Sequence, residues 1–176
     1  MSITWKIDPA HTEIQFKVKH LMITTVTGFF KIFDGKVVTD SDDFNTTTDI
    51  KFSADINSIN TNNEQRDTHL KSADFFDAEK YNQLEFTGTR YSALKNEASV
   101  QGNLSIRGVT RPLTLNVDFG GIVVDPYGQT KAGFTVTGKI SRKEFGLTWN
   151  AVTEAGSVVV SDEIRLLIEV ELVKQS

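Results

Sequence analysis

The chain has 176 residues and a formal net charge of −4, with Lys and Arg scattered rather than clustered, which argues against a nucleic-acid partner. It contains no Cys, so disulfides, thiol nucleophiles and Cys-ligated zinc are excluded. Hydrophobic residues at 39% and charged residues at 24% suit one globular domain spanning residues 1–176, and 12 Phe against 2 Met and 2 Trp favour rigid apolar surfaces.

The opening MSITWKIDPAH has neither the basic nor the apolar region of a secretory leader. No apolar run approaches the roughly 20 residues that cross a bilayer. The expectation is a chain that does not span a membrane and is cytoplasmic, or periplasmic if a leader was removed.

The first strand pattern is EIQFKVKH, residues 13–20, with Ile14, Phe16 and Val18 on one face and Glu13, Gln15, Lys17 and Lys19 on the other. VTGFFKIF, residues 26–33, follows with Val26, Gly28, Phe30 and Ile32 on one parity and Phe29 and Phe33 on the other, a pattern compatible with cover on both sides. Asp34-Gly35 carries a strong hairpin-turn signal. TDIKFSADI then places Ile50, Phe52, Ala54 and Ile56 inward. Beyond residue 82 the alternation returns. Leu84, Phe86 and Gly88 lie on one face, as do Ala98, Val100, Gly102, Leu104 and Ile106. Leu113, Leu115, Val117 and Phe119 form another such face, followed by Ala132, Phe134, Val136, Gly138 and Ile140. The last runs through Ile164, Leu166, Ile168, Val170 and Leu172. Turn chemistry is supplied at Lys95-Asn96, Gly108 and Pro126-Tyr127-Gly128, and Val158-Val159-Val160 reads as a short core run. Eight to ten strands at this spacing predict an all-β antiparallel barrel or sandwich.

Gly28, Gly88, Gly102 and Gly138 share parity with the apolar residues of their strands. Either they bend strands at barrel corners, or they leave room inside for a ligand.

RDTHLKSADFFDAEKY, residues 66–81, interrupts the strands. Thr61-Asn62-Asn63-Glu64 fits a capping box and predicts a helix from about Asn62 to Lys71. Ser72 would cap a second short helix, with Asp74 near its start. This helical insertion, around residues 62–80, carries Phe75 and Phe76. These rings either plug an open barrel end or cap an all-protein core.

Several segments taken together are distinctive. They are Trp5-x-Ile7-Asp8 with His11, then Ile14, Phe16, Val18 and His20, then Gly28-Phe29-Phe30. Arg66-Asp67-x-His69-Leu70, Asp74-Phe75-Phe76-Asp77 and Lys80-Tyr81 follow. The series ends with Gly102-Asn103-Leu104, Gly108-Val109-Thr110-Arg111-Pro112, Arg142-x-x-Phe145-Gly146-Leu147 and Asp162-Glu163-Ile164. In order and spacing the chain resembles the YceI-like family of lipid- and polyisoprenoid-binding proteins over essentially its whole length. It departs at Thr12, where Ser is expected, and at Asn82, where Pro is expected.

The resemblance implies an elongated, lipocalin-like antiparallel barrel of about eight strands with the helical insertion beside it. It implies an apolar tunnel for an isoprenoid chain, a polar head near the mouth and a homodimer. Burying such a chain needs no catalytic group, and no catalytic residue or cofactor beyond the bound lipid is expected. The expected tunnel lining is Phe16, Val18, Phe30, Ile32, Phe52, Phe86, Val100, Leu104, Leu115, Phe134, Val136 and Ile168, with Phe75 and Phe76 from the insertion. For a phosphate or quinone head, His20, Arg66 and His69 are the residues whose chemistry suits.

Other chemistries fit less well. His11, His20 and His69 show no H-x-H or H-x-x-x-H spacing, so no metal site is expected. His11 reads as fixing the turn after Asp8-Pro9, and His20 as a strand end. On a helix Arg66 and His69 share a face and Asp67 lies off it, which favours a structural tie to the barrel. No G-x-S-x-G, P-loop or G-x-G-x-x-G motif occurs. Three functions remain open: a carrier of an isoprenoid amphiphile, an enzyme acting on one through Arg66, Asp67 and His69, and a packed barrel acting through its outer surface.

Overall fold

The computed structural model describes residues 2–94, 97–150 and 159–176. The expected turn at Lys95-Asn96, and Val158 of the short apolar run, lie outside the described residues. The strands are β1 (Ile3–Ile7), β2 (Glu13–His20), β3 (Thr24–Phe30), β4 (Phe33–Thr39), β5 (Thr47–Asp55) and β6 (Ile59–Asn60), followed after one helix by β7 (Gln83–Leu94), β8 (Glu97–Ile106), β9 (Val109–Val124), β10 (Thr130–Ser141) and β11 (Val160–Lys174). The helix, α1, spans Glu64–Lys71.

These segments form eight staves of a closed antiparallel barrel. β2 pairs with β3 and β1 with β4, so β1–β2 and β3–β4 are the two arms of one long broken hairpin. β5 pairs with β4 and β6 with β3, so β5–β6 is a third broken stave. β7 to β11 complete the meander, and β11 closes the barrel against both β1 and β2. Closure removes the unpaired edges of an open sheet.

The alternation read from the sequence carries through the ladders. Phe134, Val136, Gly138 and Ile140 of β10 stand opposite Val170, Ile168, Leu166 and Ile164 of β11. Phe52 stands opposite Phe86, and Phe86 opposite Leu104.

Asp34-Gly35 is not a hairpin turn. Both residues lie inside β4, where Gly35 pairs with Phe52. A Cβ on Gly35 would fall 2.6 Å from Cδ1 of Ile7, so its missing side chain serves packing. The stave breaks instead at Lys31 and Ile32, where Lys31 N–H donates to Ser58 O (3.2 Å) and Ile32 O accepts from Asp55 N–H (2.9 Å).

The insertion also differs from expectation. Asn63 caps α1, its Oδ1 accepting from Arg66 N–H at 2.9 Å, so the helix starts later than a Thr61 cap would place it. Thr61, buried outside the helix, donates its N–H to Asp67 Oδ1 (2.9 Å) and accepts from Arg66 Nε at its hydroxyl (2.7 Å). No second helix follows. Ser72 ends α1, its N–H and hydroxyl both donating to His69 O (3.1 and 2.6 Å), and residues 73–80 form turns.

α1 and its turns sit at one end of the barrel, with the β2–β3 connection, the Arg107-Gly108 turn and the segment after β10. The opposite end carries the β4–β5 connection and the β9–β10 turn. Among the described residues no helix is long and apolar enough to cross a membrane.

Candidate functional site

The inward faces of the eight staves do not meet. They enclose a cavity of about 280 Å³, measured as the space open to the centre of a water molecule, with an almost wholly apolar wall. Phe16, Val18, Phe30, Phe52, Phe86, Val100, Leu104, Leu115, Phe134, Val136 and Ile168 border it, as expected from their parity, and so do Phe75 and Phe76. Ile32 does not. It is 63% exposed, because the break between β3 and β4 resets the alternation and turns it outward.

The four inner glycines make room indirectly, and Gly88 also lies at a bulge between β7 and β8. Each lies beneath a neighbour's large side chain: Phe16 over Gly28, Ile50 over Gly88, Phe86 over Gly102 and Leu115 over Gly138. All four of these neighbours border the cavity. The glycines let bulky side chains lie flat against the wall, which keeps the centre open.

Aromatic groups gather at both ends. At the helical end Phe75 packs at 5.1 Å from His69 and 5.4 Å from Trp149, and Phe76 meets Phe30 at 6.2 Å. At the far end Phe44, from the β4–β5 connection, lies 4.9 Å from both Trp5 and Phe134. Trp5 is fully buried and donates its indole N–H to Thr39 Oγ1 at 3.0 Å. Tyr91 flanks this plug, and burial, with a contribution from Asp43, raises its phenol pKa and keeps it neutral.

The three headgroup candidates stand outside the cavity lining. His20 is exposed at the end of β2. Arg66 is committed to Thr61, with Nη2 donating to its carbonyl at 2.6 Å. His69 Nε2 lies 2.8 Å from Asp74 Oδ2, with its ring 4.8 Å from Trp149. Arg66, Asp67 and His69 therefore do not form one polar centre facing the interior.

A buried cation borders the cavity, Arg142, only 2% exposed. Its guanidinium donates to four carbonyls: Nε to Ser161 (2.9 Å), Nη1 to Leu147 (2.6 Å) and Trp149 (2.8 Å), and Nη2 to Val160 (3.2 Å). Burial lowers its pKa, while the charge of Asp162 acts the other way. Arg142 thus clasps the end of β10 to the start of β11.

A second polar cluster lies where β1 ends. Asp8, His11 and Glu171 could offer three ligand atoms within 4.8 Å. Lys131 already occupies the cluster, its Nζ 2.8 Å from Asp8 and 3.0 Å from Glu171. Hydrogen bonds from Lys131 and His11 lower the Asp8 pKa to about 2, and those carboxylates raise that of Lys131. His11 Nδ1 lies 2.9 Å from Asp8 Oδ2, which fixes the turn after Asp8-Pro9.

Comparison with known proteins agrees with this architecture. Residues 5–172 match the model of the YceI-like domain. The chain belongs to the YceI-like family. A UPF0312 protein of Staphylococcus aureus is 38% identical over 161 residues, covering 90% of each chain. The crystal structure of the Campylobacter jejuni YceI protein superposes with a TM-score of 0.76 at 33% identity, covering 90% of each. A polyisoprenoid binding domain from Saccharophagus degradans shares the fold with a TM-score of 0.67 at 16% identity, covering 97% of this chain and 98% of that one.

Sequence reasoning missed part of this YceI-like interior. Phe44 sits in a polar run, Ser41-Asp42-Asp43-Phe44-Asn45, with no period to mark it. Arg142 stood out only through the family motif, since an isolated Arg ordinarily reads as surface.

Proposed function

We propose that this YceI-like barrel is a non-catalytic carrier that holds a long-chain isoprenoid amphiphile, such as a polyprenyl phosphate or an isoprenoid quinone. The observation that carries the reading is the cavity with its almost wholly apolar wall, in which four large side chains lie over glycines. One water needs at least about 10–15 Å³, so the interior is far roomier than a single-water void and can take part of a prenyl chain. Each methylene buried there gains roughly 0.8 kcal/mol before ordering costs. A longer chain would leave its remainder and its head outside, at the helical end near His20 and His69. The polyisoprenoid-binding description of the Saccharophagus degradans domain, which has the same fold, agrees with this ligand class.

The enzyme reading is disfavoured by the commitments of Arg66, Asp67 and His69 to Thr61 and Asp74. The packed-barrel reading is disfavoured by the cavity. A homodimer is part of the proposal on family grounds, and sedimentation equilibrium tests it. The decisive experiment is organic extraction of purified protein followed by mass spectrometry, with native mass spectrometry of the intact chain. A stoichiometric isoprenoid species is expected. If nothing co-purifies and added C20–C40 prenyl compounds do not bind, the carrier reading fails.

A further inference from the structure

The connection between β2 and β3 breaks the local rules of turn chemistry. Leu21 and Met22 both have positive φ, +52° and +60°, and Ile23 N–H donates to His20 O at 3.1 Å. Consecutive left-handed residues favour Gly, Asn or Asp, and a large side chain there costs on the order of 1–2 kcal/mol each. Here the tip carries Leu, Met and Ile instead. Met22 is 58% exposed and Ile23 77% exposed. A strained turn that spends apolar side chains on solvent is not explained by folding.

Its surroundings indicate what it meets. β2 leads from the cavity to the tip, since Phe16 and Val18 border the interior and His20 ends the strand. From residue 14 to residue 33 the chain has Lys17, Lys19 and Lys31 and no Asp or Glu, although the whole protein is net −4. Lys17 continues a cross-strand row with Arg165 of β11 and Lys139 of β10. Among the described residues Glu163 lies beside this row, 3.5 Å from Arg165. An apolar tip above a basic band, at the end of a barrel with an apolar cavity, is complementary to an anionic lipid surface.

We propose that the Leu21–Ile23 tip docks the barrel onto anionic bilayers, inserting Met22 and Ile23 at the interface while Lys17, Lys19 and Arg165 face the headgroups. The functional sense of this docking, transfer of cargo between bilayer and barrel, rests on the carrier reading, but the docking itself is tested without cargo.

The test is co-sedimentation of the full chain with phosphatidylglycerol/phosphatidylcholine vesicles and with phosphatidylcholine vesicles. Wild type should bind the anionic vesicles, bind the neutral ones more weakly, and be released as salt rises from about 0.1 M to 1 M, where the Debye length falls from about 10 to 3 Å. The variant Leu21→Asn/Met22→Gly/Ile23→Thr should bind at least about tenfold more weakly. Because Asn-Gly suits positive φ, its Tm should equal or exceed that of wild type, which excludes misfolding as the cause. Lys17→Gln/Lys19→Gln should lose the salt-sensitive part of binding. Wild type that ignores anionic vesicles, or a tip variant that binds them equally, overturns the proposal. So does a tip variant that only dissociates a dimer. A fluorescent polyprenyl probe delivered from detergent separates the two readings. Probe uptake without vesicle binding refutes the docking, and vesicle binding without probe uptake refutes the carrier.

Discussion

Replacing Gly28 with alanine places a methyl group 2.7 Å from Cε1 and Cε2 of Phe16, and closer still to Cζ. Ordinary contact begins near 3.4 Å, so the ring edge must retreat by about 0.7 Å and its tip by more. The obstructing atoms are the end of a side chain rather than backbone, and the retreat leads into the cavity that Phe16 borders. Overpacking costs about 1–3 kcal/mol, partly offset by the roughly 0.5–1 kcal/mol that alanine gains over glycine in a strand. The fold should survive with about 1–2 kcal/mol lost. The displaced ring takes the room of one or two methylenes, worth about 0.8–1.6 kcal/mol of cargo burial. Prenyl-probe affinity should therefore fall roughly four- to fifteenfold, measured by fluorescence titration alongside thermal melts. Phe16→Ala in the Gly28→Ala background removes the ring and should restore binding, a non-additive result in a double-mutant cycle. Unchanged affinity in Gly28→Ala, or no rescue by Phe16→Ala, would refute the view that this glycine holds the cavity open.

The clasp at Arg142 predicts that lysine is no substitute. Arg142→Lys retains the charge but cannot reach four carbonyls, so urea melts should show a loss of about 2–4 kcal/mol and a Tm lower by roughly 5–15 °C, and a loss below about 1 kcal/mol would contradict the clasp. The depressed pKa of Asp8 fixes a pH window. Below its unfolded value of 3.8 the unfolded chain takes up a proton that the folded chain refuses until about pH 2, so wild type loses stability across that interval. Asp8→Asn should be less stable at neutral pH and lack that component of acid sensitivity, and parallel acid profiles for the two proteins would sink the assignment. The finite interior predicts that affinity climbs with prenyl length while added carbons still enter the barrel and then levels off. A steady rise to forty carbons would mean that the barrel swells.

The strands were legible because a wall with one apolar and one solvated face writes its period into the sequence. β8, β10 and β11 do this, and Val100, Leu104, Phe134, Val136 and Ile168 among their alternating apolar residues border the cavity. What the sequence hid was broken periodicity. Nothing in Phe29-Phe30-Lys31-Ile32-Phe33 announces that the stave bends at Lys31, so parity was carried one residue too far and Ile32 was turned inward. Asp34-Gly35 has the composition of a turn, yet its glycine is explained by Ile7, 28 positions earlier in the chain and beyond the reach of any local rule. The polar residues misled for a related reason. His69 and Arg66 share a face of α1, but which groups they meet is set by Asp74 and by Thr61 outside the helix.

The three interruptions at Pro9–His11, Lys31-Ile32 and Ile56–Ser58 fall in neighbouring staves, whereas β7 to β11 run unbroken for 10 to 16 residues each. The barrel is therefore mechanically lopsided, a stiff trough of five strands facing a jointed wall of three. Deformation under an oversized guest concentrates at the joints, where ladder hydrogen bonds are already interrupted, and leaves the trough in register. Amide exchange should map this division directly, with slow protons along β8 to β11 and a fast seam crossing the jointed side.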